Sequence, residues 1–223
     1  MARTRVDDKS SIIAESAARL FRDRGIADVS IEEIAAAAGI AKGTFYLYFR
    51  TRDDLLEKLA TKLVDQMARA AETAGRHPGN GLERLAAAVW ALKLVDRSED
   101  YLVEALNRPE NSALHERVNV SLVRRIGPVL VDIVEDGRKE GVFEVDDPLS
   151  TLQFILAGQA TLLGGGRFNW SGEEYAARLK ATFTLIERAL GVHEPGALVR
   201  RLSQALGQLD PTSLSSDNKE LTE

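Results

Sequence analysis

The 223-residue chain has no cysteine, which removes disulfides, thiolate nucleophiles and Cys-ligated zinc or iron–sulfur centres. Its three histidines, His77, His115 and His193, are scattered without metal-ligand spacing, so neither a metal nor another cofactor is expected. Long apolar runs are missing as well. No window approaches the ~18 unbroken apolar residues of a membrane span, and the start MARTRVDDKSS lacks the apolar stretch of a secretory signal. The cytoplasm is the expected location. Excess positive charge is also absent: the formal net charge is −5, which argues on average against a nucleic-acid partner. That average hides an asymmetry. Residues 1–60 hold ten Lys/Arg and ten Asp/Glu, so residues 61–223 carry the whole −5.

Aromatic residues are scarce too, with Phe 7, Tyr 4 and Trp 2, yet Phe45, Tyr46, Tyr48 and Phe49 fall within five positions. Lys42, Arg50 and Arg52 surround them. What the chain does have is 44% hydrophobic residues, enough for one large domain or a small one joined to a larger one.

The apolar residues recur at helical spacing almost throughout, and no segment reads convincingly as a strand. Ile12/Ile13, Ser16/Ala17 and Leu20/Phe21 stripe a helix from about Asp8 that Gly25 ends. Ser30 to Glu33 has the capping-box form and opens a short helix reaching Ala38. Gly39 then permits a tight turn before a third short helix carrying the aromatic cluster. From Thr51, an N-cap followed by Asp53 and Asp54, a long helix with Leu55, Leu56, Leu59, Leu63 and Met67 on its stripe runs to near Gly75. Further stripes lie at Leu82, Leu85, Val89 and Leu92, and at Leu114, Val118, Leu122, Ile126, Val129 and Ile133, where Pro128 should kink the helix. Two more helices are expected, from Pro148 to about Leu163 and from about Glu173 to Leu190. Gly164, Gly165 and Gly166 read as a helix stop, since they lack the spacing of a phosphate-binding loop. Leu198, Leu202, Leu206 and Leu209 mark a final short helix, and residues 211–223 are expected to be disordered. The organisation is therefore an all-α chain: a helical head over 1–50, a larger helical domain over 51–192, and an extension over 193–223.

Two short helices joined by a glycine turn, after a longer first helix, have the form of a helix-turn-helix DNA-binding head. Within it Phe45 and Phe49 are i,i+4 neighbours and should enter the core. Gly43, Thr44 and Leu47 lie opposite, flanked by Lys42 and Tyr46. Gly39, Ile40, Gly43, Thr44, Phe45, Tyr46, Tyr48, Phe49, Arg52 and Leu55 resemble the head motif of the TetR family of bacterial transcriptional regulators, and the resemblance covers about residues 8–56. Two positions depart from the family pattern: Arg52 stands for the usual lysine, and Ala41 for the usual serine, which removes one N-cap.

The resemblance implies a three-helix head, a linking fourth helix and a helical domain that dimerises and binds a small molecule. It also implies phosphate contacts at Ser30, Tyr46, Tyr48 and Arg52 and a base-reading surface at Lys42, Gly43, Thr44 and Leu47. Each has an ordinary alternative. Ser30 can simply cap its helix, Tyr48 can pack in the core, and the cations can be solvated charges. Arg3 and Arg5 can form a basic arm or have no role.

The larger domain has no catalytic constellation, so no enzymatic activity is expected. Polar residues beside its apolar stripes, Asn107, His115, Asn119 and Gln159 with Arg124, Gln153 and Thr161, are candidates to orient a ligand. Trp90, Tyr101 and Phe154 are candidate walls, which suits an apolar or aromatic effector. The resemblance places a homodimer interface on the last two long helices, with Thr151, Ile155, Tyr175, Leu179, Phe183 and Ile186 as the expected contacts. The leading function is a ligand-responsive regulator, a repressor released from a palindromic operator. A helical carrier or helical enzyme with a non-functional head is the alternative.

Overall fold

The computed structural model describes the backbone of residues 2–164 and 168–207 and the side chains of residues 9–164 and 168–202. Gly165, Gly166, the side chains of Arg3, Arg5 and Leu206, and the segment 208–223 with Leu209 and the expected disordered tail lie outside the described residues. All regular structure among the described residues is helical.

Helix α1 (Ala2–Arg24) starts earlier than the apolar stripe indicates and buries Ile13, Ala14, Ala17 and Phe21. α2 (Ile31–Ala37) begins with the expected capping box between Ser30 and Glu33. It ends in a Schellman-type turn: Ile40 N–H donates to the Ala35 carbonyl, Gly39 N–H donates to that of Ala36, and Gly39 sits at φ +66°. A side chain at that φ would strain the turn that aims the next helix. α3 (Lys42–Tyr48) follows, with Ala41 at its N-cap position and no side-chain cap. α4 (Arg52–Ala74) opens with a second capping box, Thr51 with Asp54, and buries nine residues from Leu55 to Ala71. That apolar face is wide because α4 packs against α1 at one end and against two body helices along its length.

Those two helices are α5 (Gly81–Ser98) and α7 (Ser112–Lys139). They approach so closely that a Cβ on Gly81 would stand 2.5 Å from the Gly137 Cα. Any side chain at Gly81 therefore forces the helices apart. α6 (Asp100–Leu106) and a 3-10 turn (Pro109–Asn111) lie between them. The sequence stripes miss α6 because seven residues hold too few turns to establish a period. α7 runs unbroken through Pro128, whose ring removes one backbone donor. α8 (Pro148–Leu163) packs on α7, and α9 (Gly172–Ala189) packs on α8.

Residues 193–207 pack into the body. α10 (Ala197–Gly207) buries Ala197, Leu198 and Leu202 against α5 and α9. Its N-terminus receives the carboxylate of Glu187, only 3% exposed: Gly196 and Leu198 N–H groups donate to it at 2.6 and 2.7 Å. An anion at a helix N-terminus satisfies otherwise orphan donors and complements the helix dipole, which is what lets a buried glutamate lock α10 onto α9.

Candidate nucleic-acid interface and effector region

α3 is divided by face as its spacing dictates. Phe45 and Phe49 are buried with ring centroids 5.6 Å apart, and Tyr46 meets the Phe45 ring edge-on at 5.5 Å. Lys42, Gly43, Tyr46 and Leu47 are exposed and Thr44 is half-buried, so the expected reading surface is continuous and open. Leu47 is 81% exposed, and nothing lies within 4 Å of a Cβ placed on Gly43. Tyr48 is half-buried and packs against the core, in keeping with the packing alternative.

Three polar groups around this face, on Lys42, Ser30 and Arg52, are already engaged. Lys42 forms an ion pair with Glu32 of α2, which raises the lysine pKa and holds the Glu32 carboxyl below its usual range. A cation at a helix N-terminus opposes the dipole, so Glu32 offsets a charge that the uncapped α3 handles poorly. The Ser30 hydroxyl donates to Glu33 Oε2 at 2.7 Å and accepts from the Glu33 N–H at 3.2 Å. Hydrogen bonds from the Ser30 backbone, then from its hydroxyl and from Arg24, bring the Glu33 carboxyl down to about 2. Ser30 must therefore rotate away from Glu33 before it can donate to a phosphate.

Arg52 is placed differently from the expected phosphate clamp. Its guanidinium turns inward, donating to the Ile26 carbonyl and lying 5.4 Å from the Phe21 ring centre, and burial lowers its pKa. It brackets the first turn of α4 to the α1–α2 loop. Arg50 is exposed, while its backbone N–H donates to Asp54 at 2.9 Å.

Tyr101 lines a cleft of about 240 Å³ between α1, α4 and α6, whose other walls include Arg19, Arg22, Leu59, Lys62, Leu63 and Glu99. Trp90 on α5, Asn119 on α7 and Gln159 on α8 are half-buried, Asn107 is exposed at the end of α6, and His115 is buried beside Gly164. Phe154 is not a pocket wall: it is 82% exposed on the outer side of α8. The sequence stripe could not reveal this, because the polar residues of α8, Ser150, Thr151, Gln153, Gln159 and Thr161, are spread round the helix and leave no single apolar stripe to orient it.

The interface candidates differ in burial. Ile186 is buried within its own chain, whereas Thr151, Ile155, Tyr175, Leu179 and Phe183 are half-buried. The large apolar residues left open on these two helices are Leu149, Phe154 and Leu162 of α8 and Leu185 of α9, the last 60% exposed. The wall formed by Arg22 and Glu99 went unseen because its members are 77 residues apart and carry no motif. Among the described residues no cluster of His, Asp and Glu is placed to hold a metal ion, and no helix is long and apolar enough to cross a membrane.

Residues 13–59 match the family model of bacterial regulatory proteins, tetR family, and residues 93–185 match the tetracyclin repressor-like C-terminal domain. The HTH-type transcriptional regulator EthR of Mycobacterium tuberculosis (strain ATCC 25618 / H37Rv) is 35% identical over 79 residues, 35% of this chain and 37% of EthR. The match therefore spans little more than a third of that relative's length. YhgD of Bacillus subtilis (strain 168), an uncharacterized HTH-type transcriptional regulator, is 23% identical over 165 residues, 73% of this chain and 84% of YhgD. In fold, the crystal structure of RolR with its ligand resorcinol superposes with a TM-score of 0.65 over 89% of this chain and 95% of that one, at 21% identity. With a helix-turn-helix head and a separate C-terminal model matched in the family's order, the chain belongs to the TetR family.

Proposed function

We propose that the protein is a ligand-responsive transcriptional regulator, a repressor that binds a palindromic DNA operator as a homodimer in the cytoplasm and is released by a small molecule. The observation that carries this reading is α3 itself: its inner face is fully buried while Lys42, Gly43, Tyr46 and Leu47 stand open together. A major groove admits such a helix, where Leu47 suits a thymine methyl and Thr44 a base edge. Tyr46 and Lys42 supply phosphate contacts, which position the protein without specifying sequence. Arg52 reaches a phosphate only by leaving Ile26, so its first role is to hold α4 to the head.

Two heads related by a dyad meet half-sites about 34–36 Å apart or a multiple of that distance. The open apolar residues of α8 and α9 support the dimer, and Phe154, Leu162 and Leu185 are its proposed centre. We place the head at residues 1–50 and the body from residue 51 through α10, which packs into it. The effector class is apolar or aromatic; RolR, a structure of the same fold, holds the small aromatic resorcinol. The cleft beside Tyr101 is the described cavity best placed to influence the head.

Operator selection from random DNA, followed by a screen for compounds that release it, tests the reading. Selection that enriches an inverted repeat supports it, and no enrichment with a folded dimer sinks it in favour of a carrier or enzyme with a non-functional head. Reciprocity is the sharper check. An effector that weakens operator binding by some factor must bind the operator complex more weakly by the same factor, typically about 1–3 kcal/mol. Equal affinities in calorimetric titrations of free and operator-bound protein would remove the regulatory role.

A further inference from the structure

The α5–α6 corner touches the head directly, by a route separate from α4. Glu99 stands between α5 and α6, and both its carboxylate oxygens accept from the Arg22 guanidinium of α1, Nη2 to Oε1 at 3.2 Å and Nε to Oε2 at 3.4 Å. The Glu99 side chain is 15% exposed and that of Arg22 43%, so the carboxylate is sheltered while the guanidinium still meets solvent. Two residues on, Tyr101 sets its ring 6.3 Å from that of Phe21, which is fully buried in the head. Arg22 also lies 5.7 Å from the Tyr101 ring centre. Burial, followed by the neighbouring Glu99 carboxylate, pushes the Tyr101 phenol far above its usual range, so it remains neutral.

The geometry of attachment gives these contacts their consequence. The covalent link from head to body passes through extended backbone at Phe49 and Thr51 and continues as α4, whose first turn Arg52 fastens to Ile26. α1 also packs on α4 and pairs Glu15 with Lys62, but all of these contacts lie along one helix, about which the head can still turn. The Arg22–Glu99 and Phe21–Tyr101 contacts attach the head to a second element, the α5–α6 corner, beside a cleft that Arg22, Glu99 and Tyr101 line. Two attachments fix an angle where one does not.

We infer that Glu99 and Tyr101 are positioning residues for DNA binding, which act through Arg22 and Phe21 to fix the head's angle on the body and hence the spacing between the two heads of a dimer. The inference rests on the proposed operator-binding function. Base reading belongs to α3, so loosening the joint should leave half-site preference intact and relax only the preference for spacing. A merely structural role in stability would not separate those two preferences.

The test takes the operator selected by the full-length protein and lengthens or shortens its central spacer by one and two base pairs. Binding is compared for wild type, Glu99→Gln, Tyr101→Leu and the exchange Arg22→Glu with Glu99→Arg. Discrimination in favour of the selected spacer should fall about fivefold in Glu99→Gln, the factor that about 1 kcal/mol carries. It should fall at least as far in Tyr101→Leu and return in the charge exchange, with half-site preference unchanged throughout. Undiminished discrimination in both single variants overturns the joint while leaving the operator-binding function standing. So does a uniform loss of affinity that the charge exchange does not restore. A wild-type protein that selects no DNA sequence overturns both readings.

Discussion

The head and the α8–α9 side of the body solve the same problem to different degrees. In the head, Ile13, Phe21, Ile34 and Phe45 are all 0% exposed, and the short helices close their core within one chain. On the α8–α9 side, Phe154, Leu162 and Leu185 remain open although they are as apolar as anything inside. Single exposed apolar residues such as Leu47 are ordinary, but several on adjacent packed helices mark a contact surface. The difference separates two kinds of exposure. Leu47 is open because the groove of DNA is its proposed partner, and Phe154 and Leu185 are open because a second copy of the chain is theirs.

The largest effect that can break this comparison is expected from Phe154→Glu with Leu185→Glu. Each would bury an unpaired carboxylate in the dimer at a cost of several kcal/mol, so sedimentation should show a monomer and operator binding should vanish. A dimer that persists places the interface elsewhere.

Phe45→Ala is expected to cost about 3–5 kcal/mol and to act chiefly on the head, since Phe45 is fully buried there with its ring against Phe49 and Tyr46. Hydrogen exchange should then lose protection in α2 and α3 while α7 and α8 keep theirs. Loss of protection throughout would mean that the head has no core of its own.

Leu47→Ala should leave stability unchanged and alter preference among half-site sequences, by about 1–3 kcal/mol at the base pair concerned. Arg52→Ala should behave in the opposite way, lowering the melting temperature through loss of its hold on Ile26 and Phe21. If Arg52→Ala instead left melting untouched and reduced the salt dependence of DNA binding by about one counterion, the phosphate role would be the primary one.

The smallest effect concerns the cap of α2. The Glu33 carboxyl is lowered from 4.5 to about 2 in the folded chain. Because the folded value lies below the unfolded one, its stabilisation is present above pH 4.5 and is lost as pH falls towards 2. Acid titration of head stability should therefore be shallower in Glu33→Gln than in wild type over that window.

Much of this was legible without coordinates because it is local. The Ser30–Glu33 box, the Thr51 cap, the turn at Gly39 and the burial of Phe45 and Phe49 each depend on residues within a few positions of one another. The orientation of α8 was not legible, since polar residues spread round the helix leave no single apolar stripe to indicate its inner side. Nor was the inward turn of Arg52, which depends on a carbonyl 26 residues away.

The sequence by itself determined most of the helices, the caps at Ser30 and Thr51, the order of head before body and the exposed face of α3, because hydrogen bonding and periodicity along one chain are enough to set them. Only the tertiary structure decided that Arg52 is a bracket, that Glu187 locks α10 into the body, that Phe154 faces outward and that Arg22 meets Glu99. These depend on which side chains meet across helices far apart in sequence. No repeating pattern along the chain encodes such a meeting.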